Sequence, residues 1–144
     1  MIISASPFAL LEPRTAYGLW KLRQDVFVIE QECLFRDLDG LDLLPDTRHV
    51  VLEDEHGVVP GCARVAVDGD CWRIGRVALH PTVRGQGWGD RLMEAALSVC
   101  PDRDVVLDGQ GPLASWYATF GFEVTGPEYL DDGIPHTPMR LARA

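Results

Sequence analysis

At 144 residues the chain has the length of one domain, and its apolar fraction of 47% is enough to build a core. The formal net charge of −9 argues against a protein that binds nucleic-acid backbones; it suits a cationic substrate, or simply a soluble surface. No stretch has the pattern of a signal peptide or the length of a membrane span, and Cys33, Cys62, Cys71 and Cys100 form neither a C-x-x-C pair nor a zinc spacing with His49, His56, His80 or His136. The expectation is a reduced, cytoplasmic protein, as a monomer or homodimer, without metal, membrane or nucleic acid, in which Cys62, Cys71 and Cys100 are small core residues.

Residues 1–12 are short and apolar, with an edge strand over Met1 to Ser4. Pro13 suits a first helical position, and Ala16, Leu19, Trp20, Arg23 and Phe27 then fall on one helical face. Arg23 interrupts that stripe, either as a snorkelling stem with a wet head or as an inward cation near a site. Residues 28–48 form an acidic loop suited to be a substrate wall. Its D-L-D-G-L-D run fails as a calcium loop: the glycine is not at the sixth position, and the twelfth position from Asp37 is Arg48.

His49 to Leu52, Val58 to Val67 and Cys71 to Leu79 read as three strands of an antiparallel meander, with Pro60-Gly61 an irregular start and Asp68-Gly69-Asp70 a tight turn. A glycine-rich loop and a helix follow, with Trp88, Leu92, Met93, Ala96, Leu97 and Cys100 as its apolar stripe, and then a strand at Val105 to Leu107. That connection has βαβ length, so the strands it joins are expected to be parallel. Leu113 to Phe120 reads as a short helix stopped by Gly121. Phe122 to Val124 begins another strand, and the last strand, with its prolines, is expected to be irregular or at an edge.

The loop Arg84-Gly85-Gln86-Gly87-Trp88-Gly89 carries the chemistry. The first amides of a helix lack intrahelical partners, and the aligned dipoles put about half a positive charge there. Glycines allow close approach, and Arg84 adds a planar donor fork suited to phosphate. A bound pyrophosphate is the natural occupant. The spacing fits neither a P-loop, since no Lys-Ser or Lys-Thr follows, nor G-x-G-x-x-G, whose last position falls on Asp90.

Arg84-x-x-Gly87-x-Gly89 resembles the coenzyme A pyrophosphate loop of the GNAT N-acetyltransferase superfamily, Q/R-x-x-G-x-G/A between a strand and a helix. Leu113 to Phe122 is similar to the superfamily's second motif, A-x-x-F-Y-x-x-x-G-F, with Trp116 in place of Phe. The segments R-Q-D-V-F-V-I-E-Q-E-C, T-R-H-V, I-G-R-V and Y-L-D-D-G-I-P-H-T-P-M-R extend the resemblance to the ElaA-type branch over nearly the whole chain. It implies a single domain over 1–144 of mixed α/β (α+β) class: a mostly antiparallel sheet with a splayed parallel β-α-β pair and flanking helices.

The resemblance implies acetyl transfer from acetyl-CoA to a small-molecule or peptide amine. The pantetheine arm would pair with Val77, Ala78 and Leu79, and the pyrophosphate would meet Arg84, Gly85, Gln86, Gly87, Trp88 and Gly89. Gln110 and Tyr117 would line the arm, with Tyr117 the general acid for the departing thiolate. Arg23, Glu30, Glu128 and His136 are candidates for the acceptor side. The strand before the loop holds no Asp or Glu, so the glutamate base of some relatives is absent; Glu30, Glu32, Asp37, His80, Glu128 and His136 remain as candidate bases. A catalytically weak acyl-CoA sensor or interaction module, and a protein lysine acetyltransferase, are the alternatives.

Overall fold

The computed structural model describes residues 1–143. The run His49-Val50-Val51-Leu52 explains the layering. In a strand, alternate side chains face opposite sides. Val50 and Leu52 enter one core with Leu92, Met93, Val105, Leu107, Phe122 and Met139, while Val51 enters a second with Leu19, Leu22, Val26, Phe27, Cys62 and Ala78. Helices cover both faces of the sheet, so its strands at 48–53 and 61–68 are buried at successive positions rather than alternately.

The elements in order are β1 (Ile2–Ser6), α1 (Pro13–Arg23), β2 (Arg48–Glu53), β3 (Gly61–Asp68), β4 (Cys71–Leu79), α2 (Trp88–Ser98), β5 (Val105–Gln110), α3 (Ala114–Ala118), β6 (Glu123–Val124), β7 (Tyr129–Asp131) and β8 (Ile134–Leu141). The sheet runs β1-β2-β3-β4-β5-β8-β6, with β7 also paired to β8. Only β4 and β5 are parallel, and their register covers just Trp72↔Val105 and Arg73↔Val106. Beyond Arg73 they part, as expected of the splayed pair. Past Arg23 the first helix widens over Gln24–Glu30 into a turn closed by Gln31 N–H to the Val26 carbonyl, five residues back.

The last strand corrects the expectation of an edge: β8 lies between β5 and the short β6 and β7. Its prolines are tolerated because their missing N–H groups fall where no partner stands. The Pro138 carbonyl accepts from Thr125 N–H, so Pro138 faces the β6–β7 side, opposite the break between Val124↔Met139 and Tyr129↔His136. By the same alternation Pro135 faces the β5 side, beyond the last register pair Gln110↔His136.

Arg23 is neither a wet head nor an acceptor-site cation; it is fully buried, at 0% exposure. It belongs to a closed ring of alternating charge. Asp37 joins Arg23 (Nε to Oδ2, 2.8 Å) to Arg76, whose Nε lies 2.8 Å off-axis from Oδ1. Asp39 joins Arg76 (3.4 Å) to Arg64, which it grips with both oxygens at 2.9 Å. Asp42 joins Arg64 (3.1 Å) back to Arg23 (2.8 Å). The aspartates of the D-L-D-G-L-D run thus turn inward and fasten their loop to α1, β3 and β4. His49 adds an Nε2–H bond to the Asp42 carbonyl (3.0 Å), and burial holds its pKa below the usual imidazole value.

The ring also fixes a bulge. Register passes from Cys62↔Ala78 to Arg64↔Gly75, so Arg76 and Val77 together oppose Ala63. Arg76 sits at φ +50°, a left-handed conformation that costs about 1–3 kcal/mol outside glycine. Its guanidinium also donates to the Asp37 carbonyl (3.1 Å) and lies over the Phe35 ring (5.3 Å). Held this way, Arg76 braces the stretch of β4 that has already left β5.

Asp42→Ala leaves Arg23 and Arg64 buried with too few partners, and is expected to cost about 3–5 kcal/mol in urea unfolding at pH 7. Burial would raise the pKa values of Asp39 and Asp42, but the arginine hydrogen bonds and charges outweigh it and hold both below the usual carboxylate range. Their contribution is therefore complete above the unfolded value, about 3.9, and is lost as pH falls through the folded values. Urea titrations from pH 7 down to pH 3 should show wild type losing stability below about pH 4, and the variant losing less.

Candidate active site

The divergence of β4 and β5 opens a cleft of about 1130 Å³. One wall is Gly75–Leu79, whose β5-facing backbone has no strand partner beyond Arg73. The other comprises Leu107, Asp108 and Gln110 of β5, and Trp116 and Tyr117 of α3.

At one end lies the glycine loop. Gly85 and Gly87 have φ of +73° and +85°, which glycine adopts without a Cβ penalty, and Gly87 caps α2 with no side-chain hydrogen bond. The first backbone bond of the helix is Arg91 N–H to the Gly87 carbonyl (3.4 Å), so the amides of Trp88, Gly89 and Asp90 have no intrahelical acceptor. The cradle fits a pyrophosphate. Arg84, the intended cation, is engaged: Nη1 and Nη2 grip Glu30 at 2.8 and 2.7 Å, and Nε donates to the Leu79 carbonyl (2.9 Å). The Arg84 hydrogen bond is the main cause that holds Glu30 below the usual carboxylate range; burial opposes it, and the Arg84 charge adds to it.

Tyr117 stands at the floor, 6% exposed, with burial pushing its pKa up to about 12. It approaches β5 so closely that a Cβ on Gly109 would lie 2.9 Å from its ring. Among the described residues no protein group hydrogen-bonds its hydroxyl. Trp116 beside it donates its indole N–H to Asp90 (2.7 Å), joining α3 to the first turn of α2. A phenylalanine could not make that bond.

At the other end Gln110 donates to Gln31 (3.3 Å), Arg73 pairs with Asp108 (2.7 Å), and the Tyr129 and His136 rings stack at 5.9 Å. Residues 30 and 31 therefore touch both lips, Arg84 on one side and Gln110 on the other.

Of the sequence-derived site residues, Val77, Ala78, Leu79, Arg84, Gly85, Gly87, Gly89, Gln110, Tyr117, Glu30 and His136 line this cleft. Others are placed elsewhere. The Gln86 side chain turns back to the Thr82 carbonyl (3.1 Å), and Trp88 packs on the core with Arg91 over its ring. Arg23 is sealed in the charge ring, and Glu128 is exposed outside the cleft lining. Sequence reasoning missed Gln31, Asp90, Asp108 and Tyr129. Asp90 had a readable signal, an acid in a helical first turn; the others depend on pairings between distant segments. Among the described residues no group of three or more His, Cys, Asp or Glu side chains is placed to hold a metal ion, and no helix is long and apolar enough to cross a membrane.

Glu30→Gln removes the carboxylate that occupies Arg84 and its repulsion of an anion at the loop. Inorganic pyrophosphate is expected to bind severalfold more tightly to this variant by calorimetry, the difference fading in high salt.

Residues 25–143 match the family model described as an acetyltransferase (GNAT) domain. A UPF0039 protein of Mycobacterium tuberculosis is 45% identical over 133 residues, covering 90% of this chain and 85% of the relative. Protein ElaA of Escherichia coli is 38% identical over 129 residues, 85% and 84% of the two chains. The crystal structure of E. coli ElaA superposes with a TM-score of 0.92 at 33% identity, covering 98% of this chain and 99% of that one. An acyl-CoA N-acyltransferase of Pseudomonas aeruginosa gives 0.92 at 36% identity, with the same coverage.

Proposed function

The chain belongs to the GNAT acetyltransferase family, in the branch that includes ElaA, and we propose that it moves an acetyl group from acetyl-CoA to a primary amine by direct attack within the cleft. One observation carries this reading: the splayed strand pair leads into an uncapped helix start, and a buried tyrosine stands on the floor of the same cleft.

The chain's residues divide the work. The amides of Trp88, Gly89 and Asp90 hold the pyrophosphate of the donor, and the open backbone of Val77–Leu79 aligns its pantetheine arm. That alignment removes much of the entropic barrier to a two-substrate reaction. A backbone amide near Leu79 donates to the oxygen where negative charge develops, and the apolar walls make that bond stronger than it would be in water. Acetyl-CoA supplies the activated thioester. Tyr117, its pKa raised to about 12, keeps its proton at neutral pH and delivers it to the departing sulfur.

Acetyl-CoA with a panel of amines (spermidine, tyramine and a lysine-containing peptide) tests the reading by release of free thiol. Tyr117→Phe is expected to lower kcat by about 100-fold or more, with the calorimetric Kd for acetyl-CoA within about twofold of wild type. Turnover equal to wild type would remove Tyr117 from the acid role.

A further inference from the structure

We propose that His136 is the base of the reaction, its Nε2 taking the proton that the acceptor nitrogen loses as the new C–N bond forms. This rests on the acetyl-transfer reading above and assigns the step that reading leaves open.

The geometry removes the other candidates one by one. Glu30 is gripped by both terminal nitrogens of Arg84, which hold it ionised as a partner. Asp37 is locked between Arg23 and Arg76. Glu32 and Glu128 are exposed and do not line the cleft. His80 presents the wrong nitrogen. Its Nδ1 accepts from the Thr82 backbone N–H (3.2 Å) and lies 2.7 Å from the Thr82 hydroxyl, so in the neutral ring the remaining Nε2 carries the hydrogen and can only donate.

His136 has the opposite tautomer. Its Nδ1 lies 2.8 Å from the Ile134 carbonyl, a group that only accepts, so Nδ1 carries the hydrogen. The neutral ring then keeps the Nε2 lone pair free. His136 lines the same cleft as Tyr117 and Leu79, and pairs in register with Gln110 on β5. Its ring stacks on Tyr129 at 25° between planes, and Asp108, held by Arg73, lines the same end of the cleft. The base is thus oriented by the Ile134 carbonyl on its own strand and by the Tyr129 ring of β7. The charged and titratable groups on the elements packed against it are Asp108 of β5 with its partner Arg73, Tyr129 and Asp131 of β7, Asp132 in the turn, and Glu128, whose Oε2 lies beside Gly111.

The step balances. An uncharged amine attacks the thioester carbon; the C–N bond forms and the C–S bond breaks. The nitrogen becomes acidic as it bonds, and one proton passes to Nε2. Tyr117 gives one proton to sulfur, and the imidazolium and tyrosinate return to their starting states through solvent. The products are the N-acetyl amine and free coenzyme A thiol.

Two measurements test this. Ring ¹H–¹⁵N correlation spectra at pH 8 should show His136 protonated on Nδ1 and bare on Nε2; the reverse assignment overturns the proposal. With acetyl-CoA and the best of spermidine, tyramine and the lysine peptide, His136→Gln should lose about 100-fold in kcat, with acetyl-CoA Kd within about twofold. The loss should fall on kcat, with the KM for the amine within about threefold of wild type. Undiminished kcat in the variant overturns the base assignment alone. Absence of turnover in wild type with every amine overturns the acetyl-transfer reading and the base with it.

Discussion

The cleft depends on one buried exchange of charge. Three guanidinium groups and three carboxylates meet in a ring where each aspartate serves two arginines and each arginine two aspartates. Arg23, Asp37, Asp42 and Arg64 are buried; leaving any of them unpaired would cost several kcal/mol, and the complete set offsets that penalty. The ring's output is mechanical. It grips Arg76 at its positive φ and keeps the bulge against Ala63, in the stretch of β4 that has already left β5. Two apolar cores hold the sheet between its helices, and the ring braces the wall of the opening.

The opening places two kinds of backbone at the disposal of a ligand. Beyond Arg73 the β4 backbone loses its parallel partner, and at the start of α2 the first amides lack acceptors. Such groups are expensive if sealed from water and useful if exposed to a polar chain that needs partners. One end of the cleft is thus built mostly from main chain. The other is built from side chains, with Tyr129, His136 and Asp108 on one side and the 30–31 segment on the other, and on the proposed reading these ends take donor and acceptor.

How much of this the sequence disclosed follows from the range of each interaction. The β4 strand, the glycine loop and the start of α2 were readable because strand alternation, glycine spacing and helical periodicity are local. The parallel pairing of β4 and β5 followed from connection length. The ring was not readable. Six charged residues spread over three elements and a loop look like ordinary surface charge until the fold brings them together, so sequence alone leaves Arg23 open between a wet head and an inward cation near a site. The interior place of β8 was hidden by its prolines, whose exclusion depends on which side of the strand lacks a partner. The place of Arg84 in the loop is local and readable, but its engagement with Glu30 joins residues 54 positions apart.

All six ring members lie between residues 23 and 76. Closing the ring therefore needs nothing beyond β4. On a chain emerging from its N-terminus, α1, the acidic loop and the β3–β4 hairpin can complete their charge balance before β5, α3 or β8 has been made. The bulge in β4 thus depends on no ion supplied by β5, α3 or β8.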